Sequence, residues 1–150
     1  NADTQGHRLG DLLERFAHES NNVHFFPSLG NPLYLSCVSM VDAVVGNSSS
    51  GLLEAPTLGT PTVNIGGRQA GRLRASSVID CEPERNAIRN AIDLAYSSDF
   101  QEISRETVNP YGTGGASKRI VQVLERIDPE SLTYKTFFDV EDFNLNDGLQ

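Results

Sequence analysis

The chain is 150 residues long, with 12 basic and 20 acidic side chains and a formal charge of −8. That length suits one domain with its own core, and the acidic balance excludes a general electrostatic grip on nucleic acid, so an anionic ligand needs a local positive site. No apolar run approaches the roughly 20 residues that span a bilayer and no signal peptide opens the chain; with Cys37 and Cys81 far apart and outside any CxxC spacing, a reducing cytoplasm is the expected setting.

Asn1 to Thr4 reads as the turn after a strand, although no strand precedes it. Asp3 or Thr4 is placed to cap a helix through about Ser20, with Leu9, Leu12, Leu13, Phe16 and Ala17 at helical spacing. Val23 to Phe26 reads as a strand ending at Pro27, and Ser28 to Pro32 as a loop whose proline suits the first turn of a helix over Leu33 to Met40. His7, His18 and His24 are too scattered to suggest a metal site. Ala43, Val44 and Val45 form a short apolar run, as expected of a strand buried on both faces. A turn of small residues follows, Gly46-Asn47-Ser48-Ser49-Ser50-Gly51, and then a helical stripe of Leu52, Leu53, Ala55 and Leu58 that Gly59 and Pro61 stop. Thr62 to Ile65 resumes a strand. This strand–helix–strand rhythm predicts an α/β fold, a Rossmann-like three-layer domain with a parallel sheet.

Beyond Gly67, Arg68, Arg72 and Arg74 fall within seven residues. They suit a phosphate or the acids of a second domain, or simply a solvated basic loop. Ser77 to Asp80 reads as a strand, Glu84 to Tyr96 as an amphipathic helix with Ile88, Ala91, Ile92 and Ala95 inward, and Asp99 to Val108 as a looser helix. Asn109 to Gly115 is dense in turn residues. A last helix over Ala116 to Ile127 carries Ile120, Val121 and Leu124. The domain is expected to occupy 1–130. Within 131–150, Thr136-Phe137-Phe138 is a short apolar stretch, Asp139 to Gln150 is acidic and polar, and a poorly ordered tail is expected.

The serine turn is the candidate site. A helix N-terminus carries unpartnered amides and about half a positive charge, so small residues there let an anion, usually phosphate, approach the backbone. The plainer reading makes one serine an N-cap and leaves the others solvated. Glu54, four residues after Ser50, stands one place beyond the capping-box position. At about 1.5 Å per residue it lies roughly 6 Å along the helix, where it suits a ribose attached to the phosphates. The other reading of Glu54 is a surface acid favoured by the helix dipole.

Gly46-Asn47-Ser48-Ser49-Ser50-Gly51, taken with Glu54-Ala55-Pro56, resembles the UDP-N-acetylglucosamine 2-epimerase family. Asn1-Ala2-Asp3, Gly59-Thr60-Pro61, Asn64-Ile65-Gly66, Arg68-Gln69, Asn109-Pro110-Tyr111-Gly112 and Gly115-Ala116-Ser117 follow in the family's order, so the resemblance covers nearly the whole chain. The Gly-Asn-Ser-Ser form and Asn-Ile-Gly followed by Arg-Gln are closer to the hydrolysing branch; the non-hydrolysing branch tends to carry an Asp-Ser-Gly-Gly form. The resemblance implies the C-terminal half of a GT-B fold, with UDP held mainly by this half. The catalytic residues are expected in a missing N-terminal half of the same enzyme, and none in this chain. Carried over by position, Ser48 and Ser49, with backbone amides through Gly51, hold the diphosphate. Glu54 accepts from the ribose, the Leu29 backbone and the Tyr34 ring bracket the uracil, and Arg68 faces the phosphates or the cleft.

The implied substrate is a UDP-sugar, and the implied reaction is elimination of UDP followed by hydration, giving N-acetylmannosamine. No metal or redox cofactor is implied, and the full-length protein is expected to be a homo-oligomer, with no nucleic-acid or membrane partner. A GT-B glycosyltransferase donor domain and a non-catalytic nucleotide-sugar sensor are the competing readings. A receiver-like flavodoxin fold is disfavoured because the only lysines, Lys118 and Lys135, come late.

Overall fold

The computed structural model describes residues 6–129, and the tail expected over 131–150 lies outside them, as do Asp3 and Thr4. The chain divides into one unit up to Thr113 and another from Gly114. In the first, helices α1 (Gly6–Glu19) and α2 (Gly30–Val38) precede strand β1 (Val44–Gly46). Helix α3 (Ser50–Leu53) and a 3₁₀ turn (Ala55–Leu58) lead to β2 (Thr62–Ile65), and a second 3₁₀ turn (Gly67–Gln69) leads towards β3 (Val78–Cys81). Helices α4 (Arg85–Ala95) and α5 (Ser98–Arg105) complete that unit. The second contains α6 (Ala116–Leu124), whose Ile120, Val121 and Leu124 are exposed.

The three strands are parallel in the order β1-β2-β3, with Val45 opposite Val63 and Val63 opposite Ile79. Alternation along β2 divides the layers. Val63 packs with Ala91 and Ala95 of α4, and Ile65, Ile79, Cys81 and Ile92 pack around them. Thr62 points to the other face, where its hydroxyl donates to the Gly51 carbonyl of α3 at 2.9 Å. The expected α/β architecture, with helices on both faces of a parallel sheet, is therefore present.

Four local expectations differ from what forms. Val23 to Phe26 is irregular; a strand exists only through its partners, and among the described residues β1 pairs on one side alone, with β2. For the same reason β1 is not buried on both faces: Val44 is half-buried and Val45 exposed, whereas β2, in the centre, is buried. The helix expected through Leu58 breaks at Glu54 because Pro56 has no amide to return to the Leu52 carbonyl. Finally, Leu9, Leu12, Leu13 and Phe16 form the expected stripe on α1 but lie exposed.

The break at Glu54 also frees the Leu53 carbonyl, because the Thr57 amide turns to Glu54. Asn109 satisfies it: Nδ2 donates to Leu53 O at 2.8 Å and to Thr57 Oγ1 at 2.6 Å, while Oδ1 accepts from the Tyr111 amide. Gly59 then ends the segment in the left-handed region (φ 70°), as its position predicts.

Candidate functional site

The serine turn lies at the C-terminal end of β1, where open parallel sheets hold their ligands. Its three hydroxyls have different duties. Ser48 Oγ accepts from the Ser50 amide at 3.3 Å, which leaves its own proton free to donate. Ser50 Oγ accepts from the Tyr34 phenol at 2.8 Å and donates to Glu54 Oε2. Ser49, at the N-cap of α3, makes no side-chain capping bond. Ser48 and Ser49 thus keep donors for an anion, and Ser50 is taken up internally. The amides of Ser50 and Gly51 are engaged by Ser48 Oγ and the Ser48 carbonyl, whereas those of Ser48 and Ser49 meet no acceptor among the described residues.

Gly51 itself has a packing role. It is buried, and a Cβ there would stand 2.5 Å from Thr62 Cγ2, so only glycine lets α3 approach β2 this closely. Glu54 is half-buried and stands at the N-cap of the 3₁₀ turn without a side-chain capping bond. Among the described residues its side-chain partner is Ser50, which leaves Oε1 for another donor.

Leu29 and Tyr34 line one open groove of about 510 Å³, together with Phe26, Pro27, Ser28, Gly30 and Asn31. Through Tyr34 this groove connects to Ser50, and through Ser50 to Glu54 and the turn. Five of the candidate residues, Leu29, Tyr34, Ser48, Ser49 and Gly51, thus belong to the turn or to the groove that adjoins it, and Glu54 is tied to them through Ser50.

The arginine cluster separates. Arg68 is exposed and donates to the Asn47 carbonyl at 3.3 Å. Gln69, quoted in the sequence beside Arg68 but given no role there, is buried and donates to the same carbonyl at 2.7 Å, so two side chains hold the turn. Arg74 is engaged locally: it pairs with Asp80 at 3.0 Å, and Asn64 Nδ2 donates to the same carboxylate at 2.6 Å. Burial alone would raise the Asp80 carboxyl, but the bonds from Asn64 and Arg74 and the Arg74 charge outweigh it and hold it below its ordinary value of 3.8. A depressed carboxyl stabilises the fold above its unfolded pKa, and that contribution is lost as pH falls through the folded one. Wild type should therefore exceed Asp80→Asn in melting temperature at pH 7, with the gap closing below about pH 4. The carboxylate is 54% exposed, so the gap should stay under about 1 kcal/mol. A gap that widens in acid would contradict the assignment.

Cys81 is not a nucleophile in waiting: burial, then the charges of Asp80 and Glu82, push its thiol up and keep it protonated at neutral pH. Among the described residues no three His, Cys, Asp or Glu side chains converge to hold a metal, and no helix is long and apolar enough to cross a membrane.

Residues 1–125 match the family model described as UDP-N-acetylglucosamine 2-epimerase. The chain belongs to this family. As a UDP-N-acetylglucosamine 2-epimerase family member it is 34% identical over 141 residues to the polysialic acid biosynthesis protein P7 of Escherichia coli, covering 93% of this chain and 36% of that one. It is equally 34% identical, over 142 residues, to the hydrolysing GDP/UDP-N,N'-diacetylbacillosamine 2-epimerase of Campylobacter jejuni, with the same coverages. The UDP-N-acetylglucosamine 2-epimerase of Neisseria meningitidis is 30% identical over 130 residues, 86% of this chain and 34% of that one. This family member therefore spans about a third of the length of the curated relatives it matches.

Proposed function

We propose that this chain holds the nucleoside diphosphate of a UDP-linked 2-acetamido sugar for a hydrolysing 2-epimerase. Ser48 and Ser49, with the turn amides, take the pyrophosphate; Glu54 accepts from the ribose hydroxyls; the Leu29 backbone and the Tyr34 ring bracket the uracil; Arg68 faces the phosphates. One observation carries this reading. The groove leads to Tyr34, Tyr34 to Ser50 and Glu54, and these to the hydroxyls of Ser48 and Ser49, a sequence of groups that supports the order base, pentose, phosphate. The names of the relatives agree with it: those of Campylobacter jejuni and Neisseria meningitidis are 2-epimerases acting on nucleotide-linked sugars.

In this reading UDP leaves the anomeric carbon as the proton at C2 is abstracted, and water then adds to the glycal-like intermediate with inversion at C2. For UDP-N-acetylglucosamine the products are N-acetylmannosamine and UDP. The proton-transfer groups belong to parts of the enzyme outside this chain. What this chain supplies is prearranged donors for the charge on the leaving diphosphate, and a fixed nucleotide that holds the sugar in register with those groups. A cytoplasmic setting and a homo-oligomeric full-length enzyme belong to the same reading.

One titration and two incubations test it. Calorimetric titration of the 150-residue chain with UDP should give weak, saturable binding, and the same chain with UDP-N-acetylglucosamine should release no sugar. A protein of the relatives' full length should release N-acetylmannosamine with no acceptor present. Turnover by the short chain alone, or intact donor until an acceptor is added to the long one, would overturn the proposal; the second outcome belongs to a glycosyltransferase.

A further inference from the structure

We infer that Ser50 is a positioning residue that fixes both the carboxylate and the phenol of the nucleotide site; this rests on the reading in which Glu54 meets the ribose. A serine hydroxyl has one proton to give and two lone pairs. Ser50 gives its proton to Glu54 Oε2 and accepts from the Tyr34 phenol at 2.8 Å, so its hydroxyl is occupied in both directions. Its amide meanwhile donates to Ser48 Oγ at 3.3 Å. One residue therefore ties together α2 through Tyr34, the turn through Ser48, and the end of α3 through Glu54.

The consequence for recognition is directional. A glutamate with neither oxygen held samples several rotamers. With Oε2 held by Ser50, Oε1 is presented in one orientation, and a pentose hydroxyl finds its acceptor already placed. Tyr34 is held by the same oxygen, so the wall of the base groove and the pentose acceptor are set relative to each other. The neighbouring serines lack this role: the Ser48 hydroxyl bonds to the Ser50 amide, and Ser49 makes no side-chain capping bond.

The test compares UDP with 2′,3′-dideoxyuridine diphosphate, titrated calorimetrically into the 150-residue chain. Wild type should prefer UDP. Ser50→Ala should weaken UDP about tenfold while affecting the dideoxy ligand much less, so the preference collapses. Ser50→Thr, which keeps a hydroxyl, should restore it, and Tyr34→Phe, which deletes only the far end of the relay, should lower it partly. Adding Ser50→Ala to Glu54→Ala should remove no further discrimination. Equal losses for both ligands in Ser50→Ala and Tyr34→Phe would make Ser50 merely structural and overturn the inference while leaving the site reading intact. If wild type binds UDP without preferring it, the assignment of Glu54 falls and this inference with it; if wild type binds neither ligand, the nucleotide reading falls as a whole.

Discussion

Alanine at Gly51 should destabilise the chain by about 3 kcal/mol, the upper end of the usual range for overpacking. The added methyl would lie 2.5 Å from Thr62 Cγ2 and 3.4 Å from Thr62 Oγ1. Thr62 has nowhere to go: it is 2% exposed, its hydroxyl is held by the Gly51 carbonyl, and its backbone is paired with Val44 on one side and Val78 on the other. The remaining way to relieve the clash is to lift α3 off the sheet, which carries the serine turn with it. Stability and UDP affinity should therefore fall together, the first read as a lower urea midpoint at unchanged slope. Removing the offending methyl by Thr62→Ser in the Gly51→Ala background should recover much of both. A double variant no better than the single one would refute the steric account.

The stretch around Gly51 also marks the limit of what sequence pattern reveals. Local signals suffice where one residue's chemistry decides the outcome. Thr62 to Ile65 reads as a strand and is one, Gly59 reads as a helix stop and adopts φ 70°, and Ala91 and Ala95 of α4 read as inward and are buried. Pro56 is equally legible as a break, since a missing amide is a local fact, yet the apolar stripe through Leu58 masks it. Val23 to Phe26 fails for the opposite reason: whether an apolar tetrapeptide is a strand depends on a neighbour that periodicity does not disclose.

The site divides along the same line. Its hydroxyls and its acid announce themselves by crowding into Ser48 to Glu54. The residues that hold them in place do not, because their partners are distant in sequence. Tyr34 reaches Ser50 across 16 residues, Gln69 reaches Asn47 across 22, and Asn109 reaches Leu53 across 56. Arg74 shows the converse: three arginines within seven residues suggest one phosphate-facing cluster, whereas a carboxylate six residues on claims one of them. Each stands in a stretch the sequence makes conspicuous, but the partner it reaches is not written there.

Glu54→Ala should weaken UDP binding by about 1–3 kcal/mol, roughly 5- to 150-fold, through loss of hydrogen bonds to a charged acceptor. Its effect on folding should be much smaller, and the structure says why. Glu54 stands where two helical segments meet, the natural place for a cap, but its carboxylate bonds to no backbone amide there. Its side-chain partner is the Ser50 hydroxyl, which in the variant can turn to water at this half-buried position. An acid kept for capping or for the helix dipole would lose stability and affinity in step; an acid kept for the ligand loses affinity alone. Glu54→Gln separates charge from shape, since its carbonyl can still accept from Ser50 while its amide faces the ribose, and it should fall between wild type and alanine. Calorimetry with UDP beside a thermal melt without it decides the matter: matched losses in the two would reassign Glu54 to the fold and remove the pentose from this end of the site.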